Sequence, residues 1–540
     1  MFRERISAGL RRDARGAPPA GSLGGYVREN GWRRRRLLVH AVLLAFAFLY
    51  GATFTLVGQF FIIQFIAPLA VMALLLVWLL PDTGRAPVMA LERLMLSFII
   101  ALCAWPDYLA VALPGLPWIT AIRLVGAPMA LVLLICVSVS PDFRARMVVL
   151  LNAVPAIWKM VTGFAVICLL SILFSKNVPN SIDRFVLAQM GWTSVFFASV
   201  WTFSRPGRAR QAAAMLCGLL LFACLIGAYE LRYSQVPWAG RVPWFLAVED
   251  ESVQRVLQGA SRAATGIYRL QSKFTTSLGL GEFVGLTLPF VLHVIVTTRR
   301  MWVRLAGIAM LPLVLAVVVG TDSRLAVIGF GLTFLLYLLM AALLRWRQDK
   351  DSLFAPAIVF SYPATFMGVI LASFFVARLK TMVWGGGAQQ ASTATRQQMY
   401  ETGIPMVLRA PWGHGIGQGG PTLGFFTAGG TGTIDTYYLA AALEFGIIGF
   451  LVYFAMFLWA IWKSGETLLR VRDREVMLLA PLSIALINFV VSKSVFSQLE
   501  NHPLAFAMLG MVVALIARQR ALDAGEAEAA TSGATLVKTK

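Results

Sequence analysis

With 540 residues, 58% of them hydrophobic and 14% charged, and a mean hydropathy of +0.74, the chain lies far outside the roughly 45–50% apolar, 25% charged usage of soluble domains. That excludes an ordinary soluble protein and implies an all-α polytopic membrane protein. The net charge of +21 does not point to nucleic acid, because the basic residues follow a topological pattern.

The first 36 residues hold ten arginines, including Arg33 to Arg36 against the first apolar run, and no small-residue cleavage site follows a short apolar core. They read as a retained cytoplasmic tail that touches anionic lipid headgroups. A transmembrane helix needs about 20 apolar residues, and fourteen such runs follow. They lie near 37–56, 60–80, 92–113, 120–140, 157–175, 185–203, 212–229, 281–298, 303–320, 325–344, 354–377, 436–462, 476–496 and 503–517. On an even count, the short loops of one side carry 17 Lys or Arg, while those of the other carry Lys176, Arg184 and Arg324. This asymmetry places both termini in the cytoplasm.

The expected organisation is therefore a basic tail (1–36), an N-terminal transmembrane bundle (37–229), a long extracytoplasmic loop (230–280), four more helices (281–377), a second long loop (378–435), C-terminal helices (436–517) and a tail (518–540). That last tail is rich in Ala, Glu, Thr and Lys and is expected to be disordered. In the first long loop, acids precede Val253, Val256 and Leu257 at helical spacing, which predicts a short surface helix. Trp238 and Trp244 read more readily as headgroup-level aromatics than as sugar-stacking platforms. All five cysteines fall in predicted spans, so neither a disulfide framework nor a zinc site is implied.

Gly415-Ile416-Gly417-Gln418-Gly419-Gly420 fits G-x-G-x-x-G, but no strand precedes it and it falls on the far side, so a dinucleotide fold is rejected. The glycines instead let the backbone turn sharply or approach a ligand. No phosphate-binding loop of the nucleotidase type is present. The four histidines are scattered, which argues against a catalytic metal.

The far side is rich in arginine: Arg232, Arg241, Arg255, Arg262 and Arg269 in the first loop, Arg324 at a helix start, and Arg378, Arg396 and Arg409 in the second. Converging guanidinium groups grip phosphate oxygens bidentately, so several of them can clamp a pyrophosphate. Arg324 and Arg396 are the two singled out for function. Glu444, two turns into a span, and Glu282, Arg123, Lys159 and Lys493 near span ends are charges that cost energy at membrane depth; the last three are close enough to an end to snorkel.

Three segments, in order, resemble the O-antigen ligase and Wzy-type polysaccharide polymerase superfamily of bacterial inner membranes. They are Thr321-Asp322-Ser323-Arg324-Leu325-Ala326, then Arg396 followed by Pro411-Trp412-Gly413-His414-Gly415-Ile416-Gly417, then Asp435-Thr436-Tyr437-Tyr438-Leu439 with Glu444-Phe445-Gly446. The likeness covers about residues 230–515. The resemblance implies that this chain of about 14 expected transmembrane helices is an enzyme of the bacterial inner membrane, its two long loops facing the periplasm. Its partners would be an undecaprenyl-pyrophosphate-linked oligosaccharide, membrane lipid, a chain-length regulator and export proteins, with no nucleic acid, cofactor or metal. The reaction it implies is transfer of the lipid-linked glycan to an acceptor hydroxyl on the periplasmic face.

Ligases of this kind carry a histidine ahead of the leucine entering the late span, where this chain has Asp435-Thr436-Tyr437-Tyr438-Leu439. The departure favours a polymerase and leaves the general base open. The alternatives are a ligase that attaches glycan to lipid A core or protein, and a flippase or other transporter. On the polymerase reading, Arg324 and Arg396 stabilise the leaving pyrophosphate, and Asp435 or His414 orients or deprotonates the acceptor. Arg269, Arg409, Arg255, Tyr438 and Glu444 are the expected substrate-binding residues.

Overall fold

The computed structural model describes residues 67–80, 85–112, 118–246, 251–259, 266, 268–351, 353–375, 390–426, 432–471 and 473–537. The chain divides into two units at residues 76 and 77. Of the first, the described part is the start of helix α1 (Ala67–Leu79), and everything below concerns the second. The expected span 37–56 and the start of 60–80 lie outside the described residues, as do Arg262 and Arg378.

All regular structure among the described residues is helical, and ten helices are long and apolar enough to cross a membrane. In chain order the helices are α2 (Val88–Ala104), α3 (Ala121–Val139), α4 (Pro141–Leu151), α5 (Pro155–Ser171), α6 (Val178–Ala188), α7 (Ser194–Ser204) and α8 (Arg208–Tyr233). Next come α9 (Glu251–Leu257), α10 (Ser277–Thr297), α11 (Met301–Gly320), α12 (Arg324–Gln348), α13 (Phe354–Phe375), α14 (Gln390–Arg409), α15 (Gly419–Leu423), α16 (Tyr437–Leu468), α17 (Leu479–Ser492) and α18 (His502–Val537). α6 and α7 are joined by a π turn at Gln189–Thr193 and together make one of the ten spans. α2, with 17 residues, and the shorter apolar helix Val476–Ser492 fall below that length.

Several boundaries differ from expectation for local reasons. α2 ends at Ala104, nine residues short of the expected 113, because Trp105-Pro106-Asp107 follows and proline disfavours helix in the residue before it. α18 continues to Val537 through the tail expected to be disordered, where Ala and Glu are strong helix formers. The predicted surface helix forms as α9, and Val253 and Val256 bury against Tyr108, Leu109 and Ala110 in a satellite core. Trp238 packs on the same cluster and its indole N–H donates to the Tyr108 hydroxyl at 3.2 Å.

α10 and the membrane-crossing part of α18 are mostly buried, whereas little of α12 and α13 is. The main core runs through α2, α5, α7, α8, α10, α16, α17 and α18. α16 is broken: Gly446 adopts φ 71° and ψ −177° inside it, in the left-handed half of backbone space that favours glycine. The segment from Pro411 fills the break. The His414 and Gly415 N–H groups donate to the Leu443 and Glu444 carbonyls at 2.8 and 3.1 Å, and the Ile447 N–H donates to the Pro411 carbonyl at 2.9 Å. Non-helical backbone at membrane depth is tolerated where protein supplies such partners. A Cβ added at Gly413 would meet the Glu444 carbonyl at 2.5 Å, so the two motifs interlock through a pair of glycines. Ile416 extends the seam, its N–H donating to Ser171 Oγ at 3.2 Å and its carbonyl accepting from Ser181 Oγ at 2.8 Å.

Candidate active site

A cavity of about 530 Å³ opens where six separate segments meet. They are the loop after α2 (Asp107), the start of α3 (Trp118, Arg123), the end of α6 with the π turn (Arg184, Trp192), the folded-back segments 416–421 and 432–434, and the loop before α18 (Ser497, Glu500). Glu444 of α16 lies in the wall. In the topology expected from loop charge, every one of these loops faces away from the cytoplasm. The fixed rise of the helix separates this end from the other: Arg518 lies 16 residues along α18 from His502, about 24 Å.

Each polar wall residue is held by its own element. Thr120 caps α3 by accepting from the Arg123 N–H at 3.3 Å, and the Arg123 guanidinium reaches back to the Trp118 carbonyl at 2.7 Å. Arg184 is exposed on α6, with Gly417 so close that a Cβ there would stand 2.6 Å from Arg184 Cγ. Glu444 accepts from the Gly419 N–H at 3.3 Å, so a carboxylate within the broken helix anchors the cavity's lid of backbone. Glu500 takes hydrogen bonds from both the hydroxyl and the N–H of Thr275, the latter at 3.2 Å. Burial pushes the Glu500 carboxyl above the usual range, and the negative charge of Asp107 adds to that push. Lys273, fully buried, donates to the Leu102 carbonyl at 2.7 Å.

The residues expected from sequence fall into several places. Glu444 lines the cavity; Arg324, Arg396, Arg409, Arg269, Asp435, His414 and Tyr438 do not. Arg396 and Asp435 form an ion pair at 3.5 Å, one residue along the chain from the cavity-lining Ile434. Arg269 Nε donates to the Thr321 carbonyl at 2.9 Å, which ties the first long loop to the turn that Ser323 caps and Arg324 opens. His414 Nδ1 faces the Leu443 carbonyl at 3.1 Å, making it part of the interlock at Gly446. The Tyr438 hydroxyl donates to the Val490 carbonyl at 2.8 Å, a packing role between α16 and α17. Arg409 is exposed at the end of α14, and the Arg255 side chain lies outside the described ones.

The expected pair of Arg324 and Arg396 therefore does not share the cavity; Arg123 and Arg184 do. The reason is tertiary. α3 and α6 lie in the N-terminal half, whose sequence reads as generic apolar helices, and their arginines reach the site because helix ends from both halves gather at one face. The available signals were Arg184, one of three basic residues in the short far-side loops, and Arg123, an arginine at a span end. Glu282, the other acid noted near membrane depth, is spent on Lys493 at 2.8 Å, with Ser492 Oγ donating to it at 2.8 Å and the Asn501 amide at 3.2 Å.

Together these features define a multi-pass helical membrane protein with a charged cavity at one end of its bundle. Residues 309–454 match the family model described as O-antigen ligase, which agrees with the superfamily that the motifs resemble. The match points to glycan transfer of the ligase or polymerase type. It contains the interlocked motifs, Arg324, Arg396 and Glu444, while Asp107, Arg123, Arg184 and Glu500 lie outside it. No curated protein matches the chain.

Proposed function

We propose that this protein is a polysaccharide polymerase that moves an undecaprenyl-pyrophosphate-linked glycan onto a hydroxyl of a second lipid-linked unit, on the periplasmic face of the bacterial inner membrane. The observation that carries the reading is the cavity itself, where Arg123 and Arg184 face Asp107, Glu444 and Glu500 beneath a lid built from the family's glycine-bearing motif. Guanidinium groups suit a diphosphate, whose charge grows as the glycosidic bond breaks, and preorganised charge at that point is the largest usual contribution to catalysis. Arg396, beside the lid and paired with Asp435, and Arg324, at the turn joined to Arg269, are the further arginines for handling the donor.

The polymerase reading is favoured over the ligase by Asp435-Thr436-Tyr437-Tyr438, which lacks the ligase histidine. The ligase reading keeps the support of the family description. A transporter is disfavoured by the opposite end of the bundle, where Glu92 pairs with Arg205 at 2.7 Å and with Arg208 at 3.1 Å, and Arg518 bridges Asp473 and Glu475. Such bracing suits a fixed cytoplasmic face.

The size of carrier-linked glycan in cells lacking the protein tests the assignment. Short unpolymerised repeats are expected. Long polymer stranded on the carrier would replace the polymerase with a ligase, and an unchanged profile would overturn glycan transfer.

A further inference from the structure

Transfer leaves the proton of the acceptor hydroxyl in need of a base, and the candidates can be sorted by what already occupies them. Asp435 is paired with Arg396, and His414 is turned to the Leu443 carbonyl. Glu282 is enclosed by Lys493, Ser492 and Asn501. Glu444 holds the Gly419 N–H. Glu230 accepts from the Gln271 N–H at 2.9 Å and the Tyr268 hydroxyl at 3.2 Å, and it stands outside the cavity wall.

Two carboxylates remain in the wall, Asp107 and Glu500, the second with its Oε1 taken by Thr275 and its Oε2 without a partner. Each thus keeps one buried oxygen, Oδ1 of Asp107 and Oε2 of Glu500, that makes no hydrogen bond. They come from distant parts of the chain, yet each lies in the field of the buried Lys273, and Asp107 also feels Arg123. This compensating positive charge lets two acids share one cavity, since an opposite charge nearby favours the ionised form.

We propose that Asp107 and Glu500 activate the acceptor, Glu500 taking the proton of its hydroxyl while Asp107 holds and orients that hydroxyl. The assignment rests on the glycan-transfer reading above. In the step, the acceptor O–H proton passes to the Glu500 carboxylate and the acceptor oxygen bonds to the anomeric carbon of the donor. The bond from that carbon to the diphosphate oxygen breaks, and its electron pair leaves with the prenyl diphosphate. No other reactant is consumed. A base whose carboxyl is raised by burial is better matched to taking a proton than an ordinary surface carboxylate. The charged or titratable groups in its field are Asp107, Lys273, Lys493 and Tyr108. Because the ionised form is the active one, transfer rises with pH as Glu500 loses its proton.

The test uses full-length protein reconstituted in lipid vesicles, with carrier-linked glycan extracted from cells that lack it as substrate. Glu500→Gln and Asp107→Asn, compared per molecule shown by thermal unfolding to be folded, are expected to slow transfer by about 10²–10⁴-fold and to flatten its rise with pH. Glu500→Ala is expected to regain release of prenyl diphosphate in sodium azide, a nucleophile that needs no deprotonation. If the Glu500 variants fail to fold, Asp107→Asn decides alone through its rate and pH profile. Variants with the wild-type rate and profile, or a folded Glu500→Ala that azide leaves slow, overturn the assignment. Wild-type protein that turns over none of this substrate overturns glycan transfer itself, and this role with it.

Discussion

At one end of the bundle Glu92 is shared by Arg205 and Arg208, and Glu475 accepts from the Gly207 N–H while pairing with Arg518. At the other, Arg123, Arg184, Asp107 and Glu500 surround a cavity in which two carboxylate oxygens have no partner. Both ends gather charge against an apolar core, which is costly unless the charges are satisfied. The difference teaches where to look for chemistry: paired charges hold helices in register, and carboxylates of a cavity wall that keep an oxygen without a partner mark the place to look for a ligand.

The sharpest way to break the comparison is to unpair a satisfied charge. Lys493→Met should leave Glu282 buried without its cation and cost about 3–5 kcal/mol, read as a lowered unfolding midpoint in detergent. Adding Glu282→Gln should recover part of that loss, because no uncompensated charge remains. At the open end the effect should fall on rate instead. Arg184→Ala is expected to lower transfer by about 10²–10³-fold with near-normal thermal stability, and Arg184→Lys to restore it in part, since a point charge loses the planar fork. A wild-type rate in Arg184→Ala would remove it from donor binding. The same measurement on Arg396→Ala tells whether the arginine beside the lid matters as much as those inside.

A substitution at the joint between the motifs sharpens the picture further. Gly446→Ala forces a side chain into left-handed backbone and against the Pro411 carbonyl, for a loss of about 2–4 kcal/mol that should appear in unfolding and, through the displaced lid, in transfer. The smallest effect is expected at the braced end. Arg518→Ala removes a partly exposed pair with Asp473 and one with the buried Glu475, which keeps the Gly207 N–H, so its cost should stay below about 2 kcal/mol and transfer should be unchanged. A large loss of activity there would mean that the two ends are coupled.

Much of this molecule was legible in its residues. The apolar runs foretold the helices, Arg324 was expected at the start of a span and opens α12, and Val253 and Val256 at helical spacing foretold α9. Gly413 and Gly446 were visible as parts of separate motifs, although nothing in either marked them as partners. Asp107 was harder, since it sat inside a run expected to stay membrane helix to residue 113, whereas the helix ends at Ala104 ahead of Pro106.

Helix length, loop charge and glycine position are properties of neighbouring residues, and these the amino-acid order determined unaided: an all-helical membrane chain whose late motifs turn sharply. Which arginines and acids face one another was decided by tertiary structure. Asp107, Arg123, Arg184, Glu444 and Glu500 are separated by up to 393 positions, and they meet because helices from both halves end at the same face. No local pattern encodes that meeting, since each side chain's partners are chosen by the packing of whole helices rather than by the residues beside it.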